Sequence, residues 1–117
     1  MFGFEKLTVW QKSMELNKDI YRLTADFPAK EAFGVISQMR RASVSVSLNI
    51  AEGAGRTSKK EFRHFLSMSY GSLCETVTLL ILCRDLGYIA VSKCEELYSK
   101  ASEISRMISG LSASKSL

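Results

Sequence analysis

Apolar residues recur along most of the chain at steps of three and four, the spacing of one face of an α-helix. Four such stretches can be drawn. The first spans about 8–26, with Val9, Leu16, Ile20 and Leu23 on one side and Lys12, Glu15, Lys18, Asp19 and Arg22 mostly on the other. Phe27-Pro28 closes it, because the residue before a proline is pushed out of the helical region. The second spans about 31–54 on a seam of Ile36, Met39, Ser43, Val46, Ile50 and Gly53. The third spans about 59–86 on Phe62, Leu66, Ser69, Leu73, Thr76, Leu80 and Cys83, and Gly87 after it suits a left-handed cap. The fourth spans about 93–108 on Leu97, Ala101, Ile104 and Ile108. Gly110 follows, and the polar tail 111–117 is expected to fray.

Punctuation between these stretches supports them. Thr8 to Gln11, Ser58 to Glu61 and Ser92 to Glu95 each fit the capping box, in which a hydroxyl takes an orphan N–H and the third residue reaches back. No segment combines strand alternation with turn chemistry. Short connections between long helices make neighbours antiparallel, so the expected architecture is all-α: one domain, an antiparallel up-down-up-down four-helix bundle.

The second helix is the unusual one. Behind its seam, Val44, Leu48 and Ala51 form another apolar strip, and Ala42 to Ala51 contains no charge. A helix apolar on two faces is expected to lie centrally or to contact other subunits. Gln38, Ala42, Ser45, Asn49 and Glu52 step by four and three along it as a polar seam. Such a seam is expected to hydrogen-bond to the facing helix and fix register, with Glu75, beside Ser72 and Thr76, as its counterpart. Gly71 on the third helix is expected to let a neighbouring helix approach.

Composition narrows the class. A chain of 117 residues suits one domain. Cys74, Cys83 and Cys94 form no C-x-x-C and sit in apolar sequence, which favours reduced core thiols in a cytoplasmic protein. The start, MFGFEKL, lacks the pattern of a signal peptide. The apolar run Val77 to Cys83 is far short of the ~20 residues of a membrane span. The net charge of +4 is localised: Arg40, Arg41, Arg56, Lys59, Lys60 and Arg63 face only Glu52 and Glu61 between Arg40 and His64. A cluster of this kind suits a polyanionic partner.

Three groups of residues invite a catalytic or ligand-binding reading. Gly53-Ala54-Gly55 lacks the preceding strand and third glycine of a dinucleotide loop, and reads better as a helix end. Glu61-Phe62-Arg63-His64 is a Glu-x-x-His unit, but bridged metal sites in bundles use two, and the chain has one histidine. Glu52 and Glu75 could do acid–base work only as a pair with separated pKa values. The residues therefore favour a non-enzymatic protein with no metal and no cofactor.

The segments "SQMRRASVSVSLNIAEGAGR" and "EFRHFLSMSYGSLCET" resemble the four-helix-bundle proteins encoded in intervening sequences of bacterial 23S ribosomal RNA genes. The matching positions are Gly34, Gln38, Arg40, Arg41 and Ala42; Ser45, Val46, Asn49, Ile50, Ala51, Glu52 and Gly53; Glu61, Phe62, Phe65 and Leu66; and Gly71, Ser72 and Glu75. Leu7 to Gln11 fits as well, so the resemblance covers nearly the whole chain. Val46 stands where isoleucine is usual and Ser47 where proline is frequent, and losing a mid-helix proline removes a kink.

This resemblance implies a homopentamer. It also implies likeness to the accessory variability protein of diversity-generating retroelements, a basic pentameric barrel that binds nucleic acid and a reverse transcriptase. The expectation is a cytoplasmic homo-oligomer binding structured RNA or DNA, with Arg40, Arg41, Arg56, Lys59, Lys60 and Arg63 on the phosphates. The alternative is an adaptor ring that docks a polymerase or ribosomal protein without touching nucleic acid. No membrane partner is expected.

Overall fold

The computed structural model describes residues 1–114, which form four long helices: α1 (Thr8–Thr24), α2 (Val35–Ala54), α3 (Lys59–Asp85) and α4 (Val91–Ala113). Two 3-10 turns, Gly3–Lys6 and Ala29–Glu31, precede α1 and α2, and there is no strand among the described residues. Cross-helix contacts give each neighbouring pair an antiparallel sense. Asn17 meets Ser43 while Thr24 meets Arg40. Ser69 meets Val46 while Cys83 meets Met39. Arg63 reaches Ser112 while Cys94 reaches Leu80, and Lys12 and Lys100 pair with Glu103 and Asp19 between α1 and α4.

The core follows the apolar stripes. Val9, Leu16 and Ile20 of α1, Met39, Val46 and Ile50 of α2, Leu66, Leu73 and Leu80 of α3, and Leu97, Ala101, Ile104 and Ile108 of α4 are all buried. α3 is also long and apolar enough to cross a membrane by length and composition, well beyond the short run at Val77–Cys83. In the fold one stripe of it is buried, and much of the rest of its apolar surface faces outward.

The α2–α3 pair makes the most extensive contact, and Gly53 explains it. A Cβ there would stand 2.7 Å from Phe65 Cβ and 3.0 Å from Phe62 Cδ1. Gly71, by contrast, admits no neighbour: nothing lies within 4 Å of where its Cβ would be, which corrects the expected close approach. At Gly87 the chain turns as expected, with φ 79°, Tyr88 N–H donating to the Cys83 carbonyl at 2.9 Å and Gly87 N–H to Arg84 at 3.0 Å. These two hydrogen bonds satisfy carbonyls that the helix end leaves open.

Several boundaries differ from the sequence reading. Ser58 caps α3, its hydroxyl accepting the Glu61 N–H at 3.0 Å. Thr8 and Ser92 do not cap, because Leu7 and Ala90 occupy the cap positions; α1 begins one residue early and α4 two. The Gly3–Lys6 turn carries α1's entry instead, where Gln11 Nε2 donates to the Glu5 carbonyl at 2.8 Å. α2 begins at Val35 and not at 31, since Gly34 (φ −105°, ψ −115°) interrupts the path from the preceding turn. α4 runs through Gly110 to Ala113, so 111–113 are helical and not frayed; Leu111 packs on the core edge there, and Arg63 holds the Ser112 carbonyl at 2.9 Å. Residues 115–117 lie outside the described residues. Cys83 and Cys94 are core thiols as expected, whereas Cys74 is exposed.

Candidate nucleic-acid interface

The turn from α2 into α3 gathers most of the basic residues. Gly55 ends α2 in an ordinary right-handed conformation (φ −84°, ψ −4°), and Arg56 N–H closes on the Gly53 carbonyl. The Arg56 guanidinium then bridges the two helices: 2.8 Å to Glu52, 3.9 Å to Glu61, and 4.8 Å above the Phe65 ring. Arg56 thus holds the turn while its side chain stays 41% exposed. Lys59 and Lys60 stand exposed on the first turn of α3. Arg63, one turn on, donates to the Ser112 and Ser114 carbonyls and so caps the end of α4.

Arg40 and Arg41 are elsewhere. They lie about 24 Å from Arg56 along α2, at 1.5 Å per residue. Arg40 donates from Nε to Thr24 Oγ1 at 2.9 Å and from a terminal nitrogen to the Tyr21 carbonyl at 3.3 Å, with its guanidinium 4.4 Å above the Tyr21 ring. It closes the C-terminus of α1. Arg41 lines an outer groove between α2 and α3 with Gln38, Gly71, Cys74 and Glu75. The six cations between Arg40 and Arg63 therefore separate into two groups, one toward each end of the bundle.

The expected polar seam takes a different form. Asn49 Nδ2 donates to the Ser45 carbonyl of its own helix, Glu52 pairs with Arg56, and Gln38 and Glu75 face outward into the α2–α3 groove. None of these side chains hydrogen-bonds to α3 across the bundle among the described residues. Glu52 and Glu75 do not meet within the chain: Glu52 lies level with the first turns of α3, and Glu75 is roughly 15 Å farther along that helix. Among the described residues no group of three His, Cys, Asp or Glu gathers for a metal. His64 is exposed and lies edge-on to Phe65.

The polar cluster that does cross the bundle was not singled out from sequence. Ser13 Oγ and Ser47 Oγ lie 2.7 Å apart, Asn17 Nδ2 donates to Ser47 Oγ at 2.8 Å, and Ser43 Oγ donates to Asn17 Oδ1 at 2.8 Å. All four residues are buried. Their signal was the matching spacing of four, Ser13/Asn17 and Ser43/Ser47, on the apolar sides of adjacent helices. Outside this cluster, Phe4, Trp10, Met14, Tyr21, Val44, Leu48 and Ala51 line an apolar groove between α1 and α2. Leu48 there is 61% exposed while Val44 and Ala51 are half-buried, so the described residues cover the second apolar strip of α2 only in part.

A family model described as 23S rRNA-intervening sequence protein matches residues 5–110. A crystal structure from Bacteroides thetaiotaomicron VPI-5482, a protein with unknown function from the S23 ribosomal protein family, superposes with a TM-score of 0.82. It is 23% identical and covers 92% of this chain and 100% of its own, a likeness that shows the fold. No curated protein matches the chain.

Proposed function

The chain belongs to the 23S rRNA-intervening sequence protein family, and from that premise we propose that it is a non-enzymatic homo-oligomer that binds structured RNA or DNA. The observation that carries the proposal is the partly exposed apolar strip of α2, with Leu48 at its centre, beside the basic turn at its end. A contiguous apolar groove with this exposure marks an interaction site, and a homo-oligomer covers it with the same chain. The pentamer implied by the family resemblance is the oligomer we propose. Assembly places several copies of the Arg56–Lys60 turn in one body, and repetition raises weak single-subunit attraction into avidity.

Phosphate contact falls to Arg56, Lys59 and Lys60. Arg40 and Arg63 serve helix ends, so their contribution is to shape the surface and not to hold the ligand. The phenyl rings beside the turn, Phe62 and Phe65, are half-buried, with Phe65 beneath Arg56, which favours backbone and shape readout over base stacking. Fluorescence anisotropy with a structured RNA at two salt concentrations, run beside light scattering, tests the reading. Binding that weakens as salt rises, by a particle heavier than one chain, is expected. An oligomer with no affinity at low salt overturns the nucleic-acid part.

One observation favours a second reading. Arg56 is already paired with Glu52 and Glu61, and Arg40 and Arg63 are engaged, which leaves a modest free positive surface. An adaptor ring that docks a polymerase or ribosomal protein needs no more than that. Its mark is an oligomer that ignores RNA yet captures a protein partner after nuclease treatment.

A further inference from the structure

α3 carries two stripes. One, through Leu66, Leu73, Leu80 and Cys83, is buried in the core. The other steps by three and four through Met68, Gly71, Glu75, Leu79, Leu82 and Leu86 on the outer side of the helix. Met68 and Leu82 are 45% and 44% exposed, and only 28% of the helix's most apolar stretch is buried. Glu75, exposed at the middle of this outer stripe, is the one charge on α3 between Leu66 and Cys83. The α1–α2 groove has the opposite character. It is concave, with Trp10, Met14, Val44 and Leu48 in its walls, and the one charge that lines it is exposed Lys18. Arg41, which also borders the α2–α3 groove, adds a second cation two helical turns from Leu48 on the same side of α2. Among the described residues Lys18, Arg41 and Glu75 make no ion pair or hydrogen bond.

We propose that the outer stripe of α3 in one copy of the chain seats in the α1–α2 groove of the next, bringing Glu75 to the positive edge at the neighbour's Lys18 and Arg41. The inference rests on the homo-oligomer reading and names the two surfaces that join. Charge selects this combination. Groove on groove would set Lys18 against Lys18. Stripe on stripe would set Glu75 against Glu75, leave Lys18 unmet and end the assembly at two chains. Like charges across an interface oppose association and so exclude wrong pairings. Groove on stripe answers both signs and fits a convex helix face to a concave one. A lipid surface suits the stripe less well, because a carboxylate in the middle of an apolar face is costly to bury in hydrocarbon. The two surfaces differ and lie on opposite flanks of α2, which meets α1 through Ser43 and α3 through Val46. The contact is therefore head-to-tail: each chain offers its groove to one neighbour and its stripe to the other. Contacts of this kind close into rings, odd-membered ones included.

The test uses two variants at exposed positions, Leu48→Glu to spoil the groove and Leu82→Glu to spoil the stripe. Circular dichroism should show helix content unchanged in both. In light scattering across a dilution series, each alone should weaken association roughly a hundredfold or more, because docking would bury an unpaired carboxylate. Mixed one to one, they should form a particle of two chains and no more. The sound stripe of the first variant enters the sound groove of the second, and the two surfaces left over are both spoiled. Glu75→Lys should weaken association roughly tenfold or more. If Leu82→Glu does not fold, Met68→Glu on the same stripe takes its place in every arm. A monomeric wild type overturns the oligomer reading and this contact with it. An oligomeric wild type whose mass withstands any of these substitutions overturns the contact alone. So does a mixture that stays monomeric, and so does one that regains the full wild-type mass.

Discussion

Gly53 and Gly71 sit on neighbouring helices and meet the same added methyl in opposite ways. At Gly53 the new Cβ would stand 2.7 Å from Phe65 Cβ, an atom fixed to the α3 backbone that no rotamer change can move. Gly53→Ala therefore forces the helices apart, at a cost of about 1–3 kcal/mol. At Gly71 nothing obstructs the methyl, and replacing an exposed helical glycine by alanine gains about 0.5–1 kcal/mol. Urea denaturation at concentrations where the chain is monomeric should show a lower midpoint for the first variant and a higher one for the second. Cys83 provides the pH counterpart. Burial, with the Glu31 carboxylate and Cys94 as smaller causes, pushes its thiol from an ordinary value of 9.0 to about 11. The Tyr88 phenol moves the same way, held up by its hydrogen bond to Glu31. In both cases the folded state keeps a proton that the unfolded state releases, so the stabilisation is complete below the unfolded pKa and is lost as pH rises. For Cys83 this loss runs from about 9 to about 11. Melting temperature should fall across that window, and Cys83→Ala should flatten the fall. At neutral pH a thiol reagent should modify exposed Cys74 quickly and reach Cys83 and Cys94 only on unfolding.

At the scale of elements, the helices were legible because their burial is periodic: Met39, Val46 and Ile50, or Leu66, Leu73 and Leu80, are stripes that any single helix displays. Boundaries were legible only where local chemistry decides them. Ser58 caps α3 and Gly87 ends α3 through bonds within a few residues, so both could be read. Thr8 and Ser92 carry the same signature, but the chain enters each helix earlier, so Thr8 is the first helical residue of α1 and Ser92 the second of α4. The end of α4 depends on Arg63, 49 residues away, reaching the Ser112 carbonyl. No local pattern contains that contact. The polar seam failed for the same reason in reverse. Gln38, Asn49 and Glu52 were placed on α2 correctly, but which flank faces a partner depends on where α1 and α3 lie, and α1 claimed Ser43 and Ser47 instead.

At the scale of the molecule, a charge cluster in sequence became two groups separated by the length of a helix. The distinction is testable residue by residue. Arg40→Ala removes the closing bonds of α1 and should cost about 1–2 kcal/mol in stability, with RNA affinity unchanged. Lys60→Ala touches no packed contact and should leave the melting temperature unchanged. If the basic turn meets phosphate, that variant lowers affinity for all sequences and reduces the salt slope by about one unit per subunit. Thermal melts and salt-dependent anisotropy on the same two proteins separate the roles.

The buried set of Ser13, Asn17, Ser43 and Ser47 has a consequence beyond its hydrogen bonds. Apolar side chains attract without direction, so two greasy helices can roll about their axes and remain content in several poses. Asn17 can serve Ser43 and Ser47 together in only one of them, because every other pose strands an amide in a dry interior. The cluster trades cohesion for uniqueness. Replacing all four by alanine or leucine should preserve or raise the melting temperature while broadening the side-chain NMR spectrum and admitting a hydrophobic dye. A variant that melts higher and keeps sharp lines would show that the bundle finds its single pose by shape alone.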